Sequence, residues 1–302
     1  MVWWWSTGPW LDVHLPDLAT IEATLASAEA QVPNLRAGCE KQIIWAGAPA
    51  TRTQMAVLYI HGFSATGQEL RPLPDLVADA LGANLHFTRL TGHGQDRDAM
   101  GRATLADWRR DVAGAMAIAQ TLGEEVIVMG CSTGCTLATL ALAEGMQVKA
   151  MVHVSPNFGL RNRTVQRVLD LPAARHWAKY VAGATRRIEP INADHAAYWT
   201  LNVPIAAVHV MADAVRAVRN ADLAVIQTPA LFCFNEGDQV VHPDDTRQVI
   251  ARWGCDTDVV TLAQMPADDA MGHVMAGDVF SPGQTDLLAR QIIAWVQGLT
   301  GR

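Results

Sequence analysis

Apolar positions in this chain follow two rhythms that take turns. Val126-Ile127-Val128-Met129 and Ala230-Leu231-Phe232-Cys233-Phe234 are apolar at every position. A strand with one wet face alternates, so an unbroken apolar run asks for cover on both faces, as in a parallel sheet between helices. Strands are expected at 40–47, 55–62, 83–90, 124–130, 148–156, 229–237 and 257–265. Between them, apolar residues recur at helical spacing. Helices are expected at 15–32 with Pro16 near the start, then at 73–82 closed by Gly82, 104–123, 135–145, 244–254 and 284–299. Strand and helix alternate, so the fold class is α/β with a mostly parallel central sheet flanked by helices. The rhythm breaks from Asn157 to Gln227. That stretch is helical in pattern, carries Trp177, Tyr180, Tyr198 and Trp199, and shows no clear strand. It reads as a helical cap inserted within a single domain spanning 1–302.

Composition narrows the class. Half of the 302 residues are hydrophobic and 18% are charged, enough for a large core and too apolar for a disordered chain. The net charge is −7, with no long basic run, which argues against a nucleic-acid partner and against an anionic membrane surface. Five scattered cysteines do not form a disulfide framework, so reduced thiols and a cytoplasmic setting are expected. The Trp-rich start, with Trp3, Trp4, Trp5 and Trp10, lacks the basic flank of a signal peptide and is too short to span a bilayer. It is expected to cover the body of the fold, with no stable membrane insertion. A homo-oligomer is compatible with this composition but not required by it.

One stretch carries chemistry. Gly130-Cys131-Ser132-Thr133-Gly134 directly follows a buried strand and opens a helix. About 0.03 to 0.04 Gly-x-Ser-x-Gly matches are expected by chance in a chain of this composition, before the strand and helix are required. So sharp a turn crowds the positions two before and two after its apex, and glycine relieves the crowding. The apex serine then projects at a helix N-terminus, where free N–H groups meet developing negative charge. A serine hydroxyl needs a base, and the base needs an orienting group. Asp238 lies just past a buried strand, and His273 lies in a loop before the last helix. Ser132, Asp238 and His273 thus occur in the order nucleophile, acid, histidine.

The segments "YIHGFSATGQE", "RLTGHG", "GCSTG", "NEGDQVV" and "GHVMAGD" resemble the α/β-hydrolase superfamily over about Ile43 to Trp295. "HGFSATGQE" and "GHVMAGD" look most like its carboxylesterase and monoacylglycerol-lipase branch. The resemblance implies Ser132 as nucleophile, His273 as base and Asp238 as its orienting acid. It also implies an oxyanion hole from the backbone N–H groups of Phe63 and Thr133. The expected function is a serine hydrolase of small-molecule carboxylic esters with an apolar acyl or alcohol group. It works through an acyl-enzyme, with no cofactor and no metal. The same triad could instead serve a C–C bond, a thioester or a lactone. A binding protein that kept the fold without catalysis is a third reading, weakened by the complete Ser, Asp and His set.

Rivals are assigned to structure. Cys131 falls inside the turn. His61 shapes the loop holding Phe63, His93 shapes another loop, and His153 is a core histidine. His242 starts a surface helix, and Glu236 is the rival acid. Asp268 and Asp269 are read as solvated loop residues. Arg97 stands where a dinucleotide fingerprint would need its third glycine, and no G-K-[ST] loop or H-E-x-x-H occurs.

Overall fold

The computed structural model describes residues 15–171, 174 and 183–300. The Trp-rich start, Trp177 and Tyr180 lie outside the described residues. In chain order the elements are α1 (Ile21–Ala30), β1 (Gln42–Ile44), β2 (Thr53–Ile60), α2 (Leu73–Ala80), β3 (Asn84–Phe87), α3 (Arg97–Arg102), α4 (Leu105–Leu122), β4 (Gly123–Cys131), α5 (Thr133–Ala143) and β5 (Ala150–Val154). Then follow α6 (Arg163–Asp170), β6 (Thr185–Arg187), α7 (Ala193–Tyr198), β7 (Asn202–Pro204), α8 (Ile205–Asn220), a 3-10 turn at Leu223–Val225, β8 (Ala230–Phe234), α9 (Pro243–Arg252), β9 (Thr257–Thr261) and α10 (Pro282–Thr300).

Seven strands form one sheet in the order β1-β3-β2-β4-β5-β8-β9. Only β1 runs antiparallel, against β3; the remaining neighbours are parallel. The unbroken apolar strands have their expected cause, because successive side chains point to opposite faces and both faces are covered. Leu58 and Ile60 of β2, Val126 and Val128 of β4, and Phe232 and Phe234 of β8 join one core with Trp108, Val112, Leu137 and Val218 of the helices. Val57, Tyr59, Ile127, Met129, Leu231 and Cys233 join the opposite core with Leu73, Val77, Leu288 and Ile292. Among the described residues, no helix is long and apolar enough to cross a membrane.

Three details differ from the sequence expectations. The stretch between β5 and β8 is not purely helical: β6 and β7 pair antiparallel into a short ribbon, apart from the main sheet. Helix α3 was not expected. It is one and a half turns long, too short for a periodic signature, and is nucleated by Asp96, whose side chain accepts the Ala99 N–H at 2.8 Å. The antiparallel setting of β1 was not foreseen either; as an edge strand it needs no helical crossover to join β3.

The topology fixes where a ligand should sit. From β2 the chain moves outward to β3, then crosses back to place β4 on the other side of β2. The carboxyl ends of β2 and β4 therefore flank the switch point of the sheet, where an open α/β fold leaves a crevice. Those two ends run directly into His61-Gly62-Phe63 and Ser132.

Candidate active site

Strand β4 ends at Cys131 and α5 begins at Thr133, so Ser132 makes the whole turn. It takes φ +48° and ψ −112°, a region that costs a non-glycine residue about 1–3 kcal/mol. Its surroundings hold it there. The Ser132 N–H donates to the Val154 carbonyl at 3.0 Å, and the Ser132 carbonyl accepts from Asn157 and Cys135, each at 3.1 Å. The glycine at 134 is explained by close approach: a Cβ there would lie 2.0 Å from the Ile60 carbonyl oxygen at the end of β2.

The Ser132 hydroxyl points to the imidazole of His273, with Oγ and Nε2 3.0 Å apart. On the other side of the ring, Nδ1 lies 2.7 Å from Asp238 Oδ2. The structure thus brings together three residues that the sequence spreads over 141 positions. The Ser132 and His273 side chains retain slight exposure, while Asp238 is buried. Asp238 is held in turn: its Oδ1 accepts the N–H groups of Val240 at 2.7 Å and Val241 at 2.9 Å. Burial pulls the His273 pKa down, but the Asp238 carboxylate outweighs it, with help from Glu69 and Asp269, and the net shift is upward.

The two amides expected to form an oxyanion hole stand beside Ser132. Thr133 is the first residue of α5, so its N–H has no intrahelical partner. Phe63 follows Gly62, and the space where a Gly62 side chain would stand is bounded by Ser132 Cβ at 3.2 Å and Glu69 Oε1 at 2.6 Å. The loop carrying Phe63 therefore lies against the serine turn. His61 supports it: Nδ1 is 2.9 Å from the Gly62 carbonyl, and Nε2 accepts the Leu90 N–H at 3.0 Å. That pattern fixes the neutral tautomer with Nδ1 as donor, and burial holds the His61 pKa at about 4.

The rivals fall away from the chemistry. Cys131 is fully buried, and burial pushes its thiol well above the ordinary range, so it is no nucleophile at neutral pH. His153 is a core ring stacked on Phe232 at 4.2 Å and hydrogen-bonded to Thr139. His93 is buried against His61 and Trp108. His242 caps α9 by accepting the Asp244 N–H at 3.3 Å. Glu236 is exposed and pairs with Arg247.

Asp269 requires a correction. It is not a solvated loop residue but a buried one, 8% exposed. Its Oδ1 accepts the Met271 N–H at 3.0 Å, and its Oδ2 accepts the N–H groups of His273 at 3.0 Å and Val274 at 2.9 Å. It organises the loop that carries the imidazole. Asp268 is half-buried and accepts from the Met265 N–H and the Gln284 side chain. Glu69 is also buried, and its sequence signal is a carboxylate inside the glycine-containing stretch after β2.

Comparison with known proteins agrees with this architecture. Residues 90 in number align at 38% identity with the thermostable monoacylglycerol lipase of Bacillus sp. (strain H-257), a match covering 30% of this chain and 35% of that relative's length. A solved structure described under "LipS and LipT, two metagenome-derived lipolytic enzymes" superimposes with a TM-score of 0.70 at 19% identity, covering 87% of this chain and 99% of the other. The monoacylglycerol lipase of Paleococcus ferrophilus superimposes with a TM-score of 0.61 at 12% identity, covering 86% and 98%. At these identities the structural likeness concerns the fold. The sequence profile of serine aminopeptidase, S33 (Hydrolase_4) matches residues 51–265. The chain belongs to that family of α/β hydrolases.

Proposed function

We propose that the protein hydrolyses carboxylic esters, with Ser132 as nucleophile, His273 as general base and acid, and Asp238 as the group that orients and stabilises the imidazolium. The observation that carries this reading is the continuous line from Ser132 Oγ through the His273 ring to Asp238, at 3.0 and 2.7 Å. His273 Nε2 takes the Ser132 proton as Oγ bonds to the ester carbonyl carbon. The carbonyl oxygen becomes an oxyanion held by the N–H groups of Phe63 and Thr133. His273 then protonates the departing alcohol as its C–O bond breaks. Water, deprotonated by His273, attacks the acyl-enzyme and releases the acid and the free serine. Each oxyanion donor in such a site typically supplies about 100- to 1,000-fold in rate.

An apolar substrate group is supported by the rim of the site. Val240 and Met271, beside Asp238 and His273, expose 36% and 47% of their surfaces. Their loops are joined by the Gln239 N–H donating to the Met271 carbonyl at 2.9 Å. The start of the 157–227 stretch reaches this rim, where its Leu160 pairs with Val241 in an isolated bridge. The monoacylglycerol lipase relative favours an ester over a C–C bond, a thioester or a lactone.

The test is covalent labelling with a fluorophosphonate, followed by peptide mapping, and turnover of p-nitrophenyl esters of graded chain length. The adduct is expected on Ser132, and Ser132→Ala should lower kcat by about 10⁶-fold. A folded protein that is labelled elsewhere, or not at all, would refute the assignment.

A further inference from the structure

Behind the serine turn lies a second carboxyl that the proposed reaction does not yet use. Glu69 is only 3% exposed. Its Oε2 accepts the Gly62 N–H at 2.6 Å and the Tyr59 hydroxyl at 3.0 Å. The Cys131 thiol, immediately before Ser132, lies near enough for each group to shift the other's pKa. The carboxyl therefore binds Tyr59 of β2 and Gly62 just past that strand's end, and sits near Cys131 at the end of β4. Its backbone is tied down as well. The Glu69 N–H donates to the Thr66 carbonyl at 3.1 Å. The loop after His273 packs on its carbonyl, where a Cβ on Gly277 would approach to 2.7 Å.

Such a group is costly unless it does something. An isolated carboxylate so deep loses most of its hydration, and two hydrogen bonds only partly replace it. A glutamine or leucine would fill similar volume without a charge. What a carboxylate adds is a strong, directional acceptor for the Gly62 amide and a negative charge within reach of His273 through an interior of low dielectric.

We infer that Glu69 is a positioning residue for the hydrolytic site, an inference that rests on the ester-hydrolase reading. By gripping the Gly62 N–H it fixes the His61–Gly62 peptide, one unit before the peptide that carries the Phe63 N–H, and so sets the direction of that N–H toward the oxyanion. By its charge it stabilises the imidazolium of His273 as the tetrahedral intermediate forms. The groups facing Glu69 are Tyr59 from β2, Cys131 from β4, Cys135 from α5 and His273 from its loop. Those facing His273 are Asp238, Glu69 and Asp269. Burial raises the Glu69 pKa, against the pull of the Gly62 amide and the Tyr59 hydroxyl. Both of these donors favour the carboxylate over the acid.

The experiment compares wild type, Glu69→Gln and Tyr59→Phe with one p-nitrophenyl ester across pH, alongside fluorophosphonate labelling of each. Glu69→Gln should still be labelled at Ser132. Its kcat should fall about 10- to 100-fold with KM changed less than about threefold, because the amide oxygen is a weaker, neutral acceptor for the Gly62 N–H and no longer balances the imidazolium. The acid limb of kcat/KM should move to lower pH, because removing a negative neighbour lowers the His273 pKa. Tyr59→Phe, which keeps the carboxylate and loosens its seat, should lower kcat less and leave the acid limb in place; it also carries the test if Glu69→Gln does not fold. An unchanged kcat, or a fall in kcat with an unmoved acid limb, overturns the inference while labelled Ser132 leaves the hydrolase reading intact. Wild type that is neither labelled at Ser132 nor active on esters overturns both.

Discussion

The carboxylate of Asp269 accepts the backbone N–H of His273 at 3.0 Å, four residues further along the chain. The same carboxylate takes two further amides, from Met271 and Val274. One buried side chain therefore holds the turn on which the imidazole stands. Asp269→Ala leaves the buried amides of His273 and Val274 and the partly buried amide of Met271 without an acceptor, so unfolding free energy should fall by about 2–3 kcal/mol. A displacement of the imidazole by even 1 Å is worth about 100-fold in rate. Urea titration and ester turnover together check this; a variant with wild-type kcat and stability would show that the loop is held by other means.

The electrostatic setting of His273 predicts a pH profile. Only neutral imidazole can accept the Ser132 proton, and the net shift of its pKa is upward. Activity should therefore be full at alkaline pH and be lost as pH falls through a midpoint above the ordinary histidine value of about 6.5. The measurement is kcat/KM against pH with a substrate that does not itself titrate. A midpoint well below 6.5 would mean that burial wins over the carboxylates around the ring.

Stability should respond to acid for a different reason. Burial holds His61 and His86 at about 4 and His153 at about 3, all below the unfolded value of about 6.5. Depressed folded values mean that the unfolded chain binds the extra protons. The stability these rings contribute is complete above about pH 6.5 and is lost as pH falls from there toward the folded values. Each proton adds up to about 1.4 kcal/mol per pH unit to the slope. His153→Phe keeps the stack on Phe232, since the rings are already parallel within 4°. It leaves Thr139 unpaired, a cost of about 1 kcal/mol at any pH. Between about pH 6 and 5 its stability curve should be shallower than wild type by roughly one proton's slope. An equal slope by urea unfolding would show that His153 charges without cost.

What was readable in the sequence, and what was not, divides along physical lines. The strands announced themselves because both faces are buried, so their composition could not alternate. The serine turn was legible because close approach of Ile60 to residue 134 admits only glycine. By contrast, β6 is Thr-Arg-Arg, exposed throughout, and pairs through backbone atoms that carry no residue signature. Asp269 was misread for a related reason. Carboxylates are usually solvated, and the amides that reward burying this one are present in every loop. Glu69 is the same case: its partners are the Gly62 backbone N–H and the Tyr59 hydroxyl, seven and ten residues earlier, whose convergence only the folded chain creates.

The sharpest test of the candidate triad is Asp238→Asn, because the fold should tolerate it while the chemistry should not. Asp238 Oδ1 accepts the amides of Val240 and Val241, and Oδ2 accepts from His273 Nδ1. An asparagine keeps its carbonyl oxygen on the two backbone amides, since its NH2 group cannot accept them. The NH2 then faces Nδ1 of the imidazole. Two donors cannot share a hydrogen bond, so Nδ1 must become the acceptor and the ring proton moves to Nε2. An Nε2–H can no longer receive the Ser132 proton, and the imidazolium loses its counter-charge. Turnover should drop by about 10⁴-fold, as expected for the wrong tautomer in a triad, while KM changes little. The thermal midpoint should stay within a few degrees of wild type, because the loop amides keep their acceptor. The acid limb should shift down, since the largest force raising the His273 pKa has been removed. A variant that folds normally and turns over esters at a tenth or more of the wild-type rate would show that Asp238 does not orient the base.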